Sequence, residues 1–153
     1  MTQSITSIPE LDNSPSFIMG LAYKQFRTLA SQALLDEFDI SLEMLGAMRT
    51  LIHLGKVPQQ TLAESLRRER SVTKRLVDNC IKRGLLEAHK SDTNKKARYL
   101  TITDKGREIK EQADCRLKQI TNAFFAPLDT SEITLLHQLC RKLIQRDLLL
   151  GSD

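Results

Sequence analysis

Between Leu62 and Gly106 the sequence runs through a helix, a tight turn, a very basic helix, two short strands and a new helix start, an order that few folds accommodate. Val57-Pro58 is read as opening a short helix whose inward face is Leu62, Ala63 and Leu66. A polar turn from Arg67 to Arg70 leads into a second helix over about Ser71 to Arg83, with Thr73, Leu76, Val77 and Cys80 on one face and Gly84 as its stop. Leu85 to Lys90 and Ala97 to Thr103 alternate as strands, Leu86 and Ala88 inward on one and Leu100 and Ile102 on the other, joined by the turn-forming stretch from Ser91 to Lys96. The fold class expected is mainly α with a small β-hairpin wing: a winged helix-turn-helix core, flanked by further helices.

The charge is concentrated in the same segment. Residues 67–98 hold eleven basic and four acidic side chains, a local net of +7 in a chain whose total is +4. Cations gathered on one element, with the remainder slightly acidic, suit a phosphate-backbone partner rather than general solubility. The competing reading is a solvated charged surface.

Outside this core the chain reads as helices. Residues 1–13 are polar and expected to be disordered; Ser14-Pro15 then looks like an N-cap followed by proline at the first helical position, opening a long helix that ends near Phe38. Ser41 caps a further helix that Gly55 ends. Thr103 caps another, which runs to Pro127, and Asp129 to Glu132 resembles a capping box ahead of a last helix. The expected division is a tail at 1–13, an N-terminal dimerisation helix at 14–40, a winged helix-turn-helix domain at 41–103 and C-terminal dimerisation helices at 104–150. Dimerisation is inferred because Leu148, Leu149 and Leu150 fall where a lone helix would fray, so they need a partner surface; folding back on the chain's own domain is the alternative. No basic stretch followed by an apolar run begins the chain and no segment has the length of a membrane span, so a cytoplasmic protein is expected.

A recognition helix needs short or polar side chains at its N-terminal end and cations to either side. Ser71, Val72, Lys74 and Arg75 occupy the first turns, with Arg70 just ahead. Lys74 or Arg75 would donate to guanine N7 and O6, Val72 would touch a thymine methyl, and Ser71 and Arg70 suit phosphate. Asn79 faces outward further along; Lys95 and Lys96 at the wing tip and Arg98 on the second strand would reach the flanking minor groove or its phosphates.

At these residues the chain resembles the MarR family of winged-helix regulators. The likeness rests on Leu62-Ala63-Glu64-Ser65-Leu66, on Arg70 through Asp78, on Lys82-Arg83-Gly84-Leu85 and on Ile102-Thr103-Asp104-Lys105-Gly106, in order and at family spacing, and covers about residues 16–150. It implies a homodimer joined by its terminal helices, two winged helices on a pseudo-palindromic double-stranded operator, and a transcriptional regulator, usually a repressor, released by a small phenolic or anionic effector. The effector pocket it implies would involve Phe26, Met48, Arg49 and His53, with Arg49 pairing a carboxylate; ordinary packing is the alternative for all four. Two departures stand out. The wing tip is Asn94-Lys95-Lys96 where the family commonly has Asp followed by arginine, so the planar fork and an acidic brace are lost. The turn that usually carries glycine and an apolar residue is Arg67-Arg68, so Arg68 has to snorkel outward.

Catalytic chemistry is not in view: there is no nucleophile–base set, phosphate loop or metalloprotease signature, so no enzyme, cofactor or metal is expected. Cys80, Cys115 and Cys140 are odd in number and unpaired in spacing, which argues against a disulfide framework. His137 and Cys140, three apart on a helix, have half the spacing of a metal site but are read as a surface histidine beside a buried cysteine. The alternative function is a winged-helix interaction module that binds an acidic protein; RNA binding would want more exposed aromatics than Tyr99.

Overall fold

A computed structural model describes residues 6–93 and 97–144. The elements in chain order are α1 (Pro9–Asp12), α2 (Pro15–Phe38), α3 (Leu42–Leu54), β1 (Val57–Pro58), α4 (Gln59–Leu66), α5 (Arg70–Lys82), β2 (Leu86–Lys90), β3 (Arg98–Ile102), α6 (Asp104–Phe125) and α7 (Thr130–Leu143). None of the described helices is long and apolar enough to cross a membrane.

Local hydrogen bonding sets the helix ends. The Ser41 hydroxyl accepts from the Met44 N–H at 3.1 Å, and the Thr103 hydroxyl from the Gly106 N–H at 3.0 Å. Asp129 and Glu132 form a reciprocal capping box at the start of α7. Gly55 and Gly84 follow helices at positive φ, where glycine carries no Cβ penalty. Arg67 does the same after α4 with φ 53°, a left-handed conformation that strains a side-chain-bearing residue.

Two expectations are corrected. Residues 9–12 make a helical turn inside the stretch read as disordered: Pro9 supplies a helical φ, and the Asp12 carboxylate accepts from the Ser7 hydroxyl (2.6 Å) and the Ile8 N–H (2.9 Å). Val57-Pro58 leads into α4, with Pro58 as its N-cap, but also forms β1, so the wing is a three-stranded antiparallel sheet of order β1-β3-β2 rather than a hairpin alone. Val57 pairs with Leu100 and Pro58 with Tyr99, a long-range partnership without a local signal. β3 is thus the central strand and β2 an edge, which is why Leu100 is fully buried while Ala88, directly opposite it, is exposed.

One apolar core joins these elements. Leu34 of α2, Leu45, Met48 and Leu51 of α3, Leu62 of α4, Val77 and Cys80 of α5, Leu86 and Leu100 of the sheet and Ala113 of α6 are buried together. Packing on this scale is what holds α5 and the wing at a set angle, because α3, α4 and α5 are too short to be stable alone. Ion pairs tie the outside: Arg27 of α2 to Glu43 of α3 at 2.5 Å, Arg116 of α6 to Glu37 of α2 at 2.7 Å, and Arg83 to Asp39. Arg68 does reach outward, its guanidinium 3.9 Å from Glu43. By contrast α7 buries none of its residues; Ile133, Leu136, Leu139 and Leu143 form an exposed apolar stripe, with Leu136 39% and Leu143 67% accessible. The C-terminal leucines 148–150 lie outside the described residues.

Candidate nucleic-acid interface

The basic helix is α5, and its two faces divide cleanly. Thr73, Val77 and Cys80 face the core with no accessible surface. Ser71, Val72, Lys74, Arg75 and Asn79 are exposed on the other side, as is Arg70 at the helix start. Val72 is a large apolar side chain left 49% accessible among charges, the placement that a methyl-contacting residue needs. Burial pushes the Cys80 thiol up to about 12, which leaves it protonated and unreactive at neutral pH.

Asp78 organises the surrounding cations. Its carboxylate accepts from Lys74 one turn earlier at 3.1 Å and from Arg98 at the root of the wing at 3.3 Å. The hydrogen bond from Lys74, helped by its charge and by the bond from Arg98, holds this carboxyl below the usual range against the opposing effect of burial. Arg70 and Arg75 make no ion pair among the described residues, so their charges are available to a polyanion. Lys95 and Lys96 lie outside the described residues.

The structure therefore brings Arg70, Lys74 and Arg98 around one cleft between α4, α5 and β3, and leaves Ser71, Val72, Arg75 and Asn79 on the open face of α5. Sequence reasoning passed over Asp78 as a mere acid, although its four-residue offset from Lys74 is an ion-pair spacing. It also passed over Gln59, and it placed Thr73 on the inward face of α5 without seeing that both line the cleft.

The four residues considered for an effector lie on α2 and α3. Phe26 packs its ring 5.4 Å from that of Phe124 on α6. Met48 is wholly buried in the core. Arg49 is paired with Asp114 of α6 at 2.5 Å, and Lys110 holds the same carboxylate at 2.7 Å. His53 is exposed on the last turn of α3. Among the described residues no three His, Cys, Asp or Glu side chains group to hold a metal ion; Cys140 is half-buried and His137 exposed.

A three-stranded wing behind an outward basic helix defines a winged helix-turn-helix protein. The comparisons with known proteins narrow this. No family model matches the chain. An uncharacterized HTH-type transcriptional regulator, YhbI of Bacillus subtilis (strain 168), is 26% identical over 112 residues, 73% of each chain. A mutant MarR from E.coli complexed with operator DNA superposes with a TM-score of 0.78 at 15% identity, over 92% of this chain and 100% of that one. The PcaV transcriptional regulator of Streptomyces coelicolor, in complex with its natural ligand, superposes with a TM-score of 0.76 at 19% identity, over 91% and 96%. YhbI and PcaV are transcriptional regulators, and the MarR structure holds operator DNA. The chain has the fold of the MarR transcriptional regulators.

Proposed function

We propose that this protein is a transcriptional regulator that binds double-stranded DNA in a sequence-specific way as a homodimer, acting as a repressor in the cytoplasm. The observation that carries the reading is the outward face of α5: exposed Ser71, Val72, Lys74, Arg75 and Asn79 on a helix anchored by buried Thr73, Val77 and Cys80. Support comes from the same architecture in a MarR solved on its operator. Base edges would be read by Val72, Lys74, Arg75 and Asn79; Arg70, Ser71, Lys95, Lys96 and Arg98 would take phosphates.

The dimer reading rests on α7. A helix with an apolar stripe and no buried residue is costly in water, and a second copy meeting it across a two-fold axis removes that cost. Release by a small phenolic or anionic effector belongs to the same proposal, with Phe26, Met48, Arg49 and His53 as its surroundings. Arg49 would have to exchange the Asp114 carboxylate for that of the ligand, and Met48 would have to move out of the core. The presence of a natural ligand in the PcaV structure supports this part by analogy.

The test is fluorescence anisotropy on duplex DNA from upstream of the protein's own gene, against scrambled duplex, over a salt series. Tight, salt-sensitive binding that prefers the upstream fragment at one dimer per site is expected. Equal binding to both duplexes would mean phosphate attraction without reading. No binding at low salt would overturn the proposal in favour of a module that docks an acidic protein.

A further inference from the structure

Two backbone bonds close the turn between α4 and α5. The Arg68 N–H donates to the Ala63 carbonyl at 3.0 Å, and the Arg67 N–H to that of Glu64 at 3.1 Å. This pattern needs a left-handed residue where Arg67 sits, at φ 53° and ψ 46°, a conformation that favours glycine. It commonly packs an apolar side chain from the next position back on the helix. Here that position holds Arg68, whose side chain is 50% accessible. Glycine and a hydrophobe would suit the local backbone, yet both places hold arginine. Strain of this kind collects where a side chain serves function.

The fold makes little use of either charge. Arg67 is exposed and makes no ion pair among the described residues. Arg68 reaches Glu43 only at 3.9 Å, and Arg27 already holds the same carboxylate oxygen at 2.5 Å. Arg70 follows, also exposed, and Glu69 is the one acid between them, so residues 67–70 carry a net +2. A cation gains from the C-terminal end of α4, but at an exposed site that gain does not exceed the strain it offsets. α5 begins at Arg70, so the turn lies beside the end of the helix whose first residues face outward. A helix that enters the major groove by its N-terminal end brings the preceding turn against the flanking phosphates.

We propose that the Arg67–Arg68 turn is a phosphate-binding element of its own: Arg67 donates to a backbone phosphate of duplex DNA, and Arg68 leaves Glu43 for the same strand. This rests on the DNA-binding reading above and adds two residues to which that reading gives no role. A guanidinium suits the contact because its planar fork matches phosphate oxygens. Such a contact carries no base information, so it raises affinity on every sequence alike and steepens the salt dependence. Glu43 sets how much of it is available, because its carboxylate holds Arg68 back while it ties Arg27 of α2. At Arg67 the chain gives up stability at the end of α4 in return for a firmer hold on DNA.

The experiment is fluorescence anisotropy of the full-length chain on the upstream and scrambled duplexes over a chloride series, with thermal unfolding in parallel. The variants are Arg67→Gly, Arg67→Asn, Arg68→Ala, Glu43→Gln and the double change of Glu43→Gln with Arg68→Ala. Both Arg67 variants should melt at or above the native temperature. They should nevertheless bind both duplexes about three- to tenfold more weakly near ~0.1 M salt, with a salt slope shallower by about 0.9. Asparagine tolerates the left-handed conformation without glycine's freedom, so a loss in Arg67→Gly alone would trace the effect to the backbone and overturn the phosphate role. Arg68→Ala should weaken binding in the same way. Glu43→Gln should tighten it, and that gain should vanish in the double variant. A gain that persists without Arg68 would mean that Glu43 acts only by its charge at a distance, against the exchange proposed. Unchanged affinity and slope in the Arg67 and Arg68 variants, with the native protein still binding DNA, overturns the proposal and leaves the regulator reading intact. A native protein that binds neither duplex at low salt removes both.

Discussion

Asp78 on the recognition helix and Arg98 at the root of the wing are joined at 3.3 Å, across twenty residues of sequence. The pair links β3 to α5, the two elements that a duplex would have to meet together. Because both partners are partly exposed, its contribution to stability is small. The same carboxylate holds Lys74, so it also decides which cations stay free: Arg70 and Arg75 rather than Lys74.

Gly106→Ala should unfold the junction between the wing and α6. A Cβ there would lie 2.2 Å from the Leu85 carbonyl oxygen and 2.8 Å from Ile102, both too close to accommodate. A loss of about 3 kcal/mol is expected from overpacking against backbone, read as a fall in the midpoint of urea unfolding. An unchanged midpoint would mean that this packing is looser than described.

Arg67→Gly should stabilise. Arg67 ends α4 at φ 53°, and glycine adopts that conformation without a Cβ clash. A gain of about 1 kcal/mol is expected, seen as a raised melting temperature. A lower melting temperature would show that the Arg67 side chain contributes more than its backbone costs.

The ion pair of Arg27 and Glu43 should make stability fall in acid. The hydrogen bond from Arg27 holds the Glu43 carboxyl below its ordinary value of 4.5 against the opposing effect of burial. A depressed folded value means that the contribution is complete above the unfolded value and is lost as pH falls through the folded one. Both partners are partly exposed, so the amount is less than about 1 kcal/mol. Thermal unfolding of the native protein and Glu43→Gln should therefore differ at neutral pH and converge well below pH 4.5. A constant difference across that range would contradict this account.

Arg75→Ala and Lys95→Ala should fail in different ways. Arg75 is exposed on the open face of α5 without an ion pair, so its loss should cost about 1–3 kcal/mol at one base position and relax preference there. Lys95→Ala should weaken binding to every sequence and flatten the salt dependence. Anisotropy on single-base operator variants separates the two, and equal loss on all sequences from both changes would refute the division between base and phosphate roles.

Leu136→Lys should break the proposed dimer. Leu136 sits mid-stripe on a helix with no buried residue, so a charge there has no core to disturb. Sedimentation should show a monomer at a concentration where the native protein is a dimer, with helix content retained in the circular dichroism spectrum. A dimer unaffected by the change would move the interface elsewhere.

The helix starts at Ser41, Thr103 and Asp129 were legible because a cap is a bond between residues three apart. The inward face of α5 was legible for a similar reason, since a helical period places Thr73, Val77 and Cys80 together whatever surrounds them. β1 was not, because nothing near Val57 announces a partner at Leu100. Nor was the occupation of Arg49 by Asp114, sixty-five residues away.

The sequence by itself determined the order of most elements, their caps and the basic face, because each depends on near neighbours or on a repeat. Only the tertiary structure decided that Arg98 would meet Asp78, that Val57 would complete the sheet, and that Gln59, Thr73 and Arg98 would share a cleft with Arg70 and Lys74. Those contacts join segments far apart in the chain, and their geometry comes from how one shared core is packed.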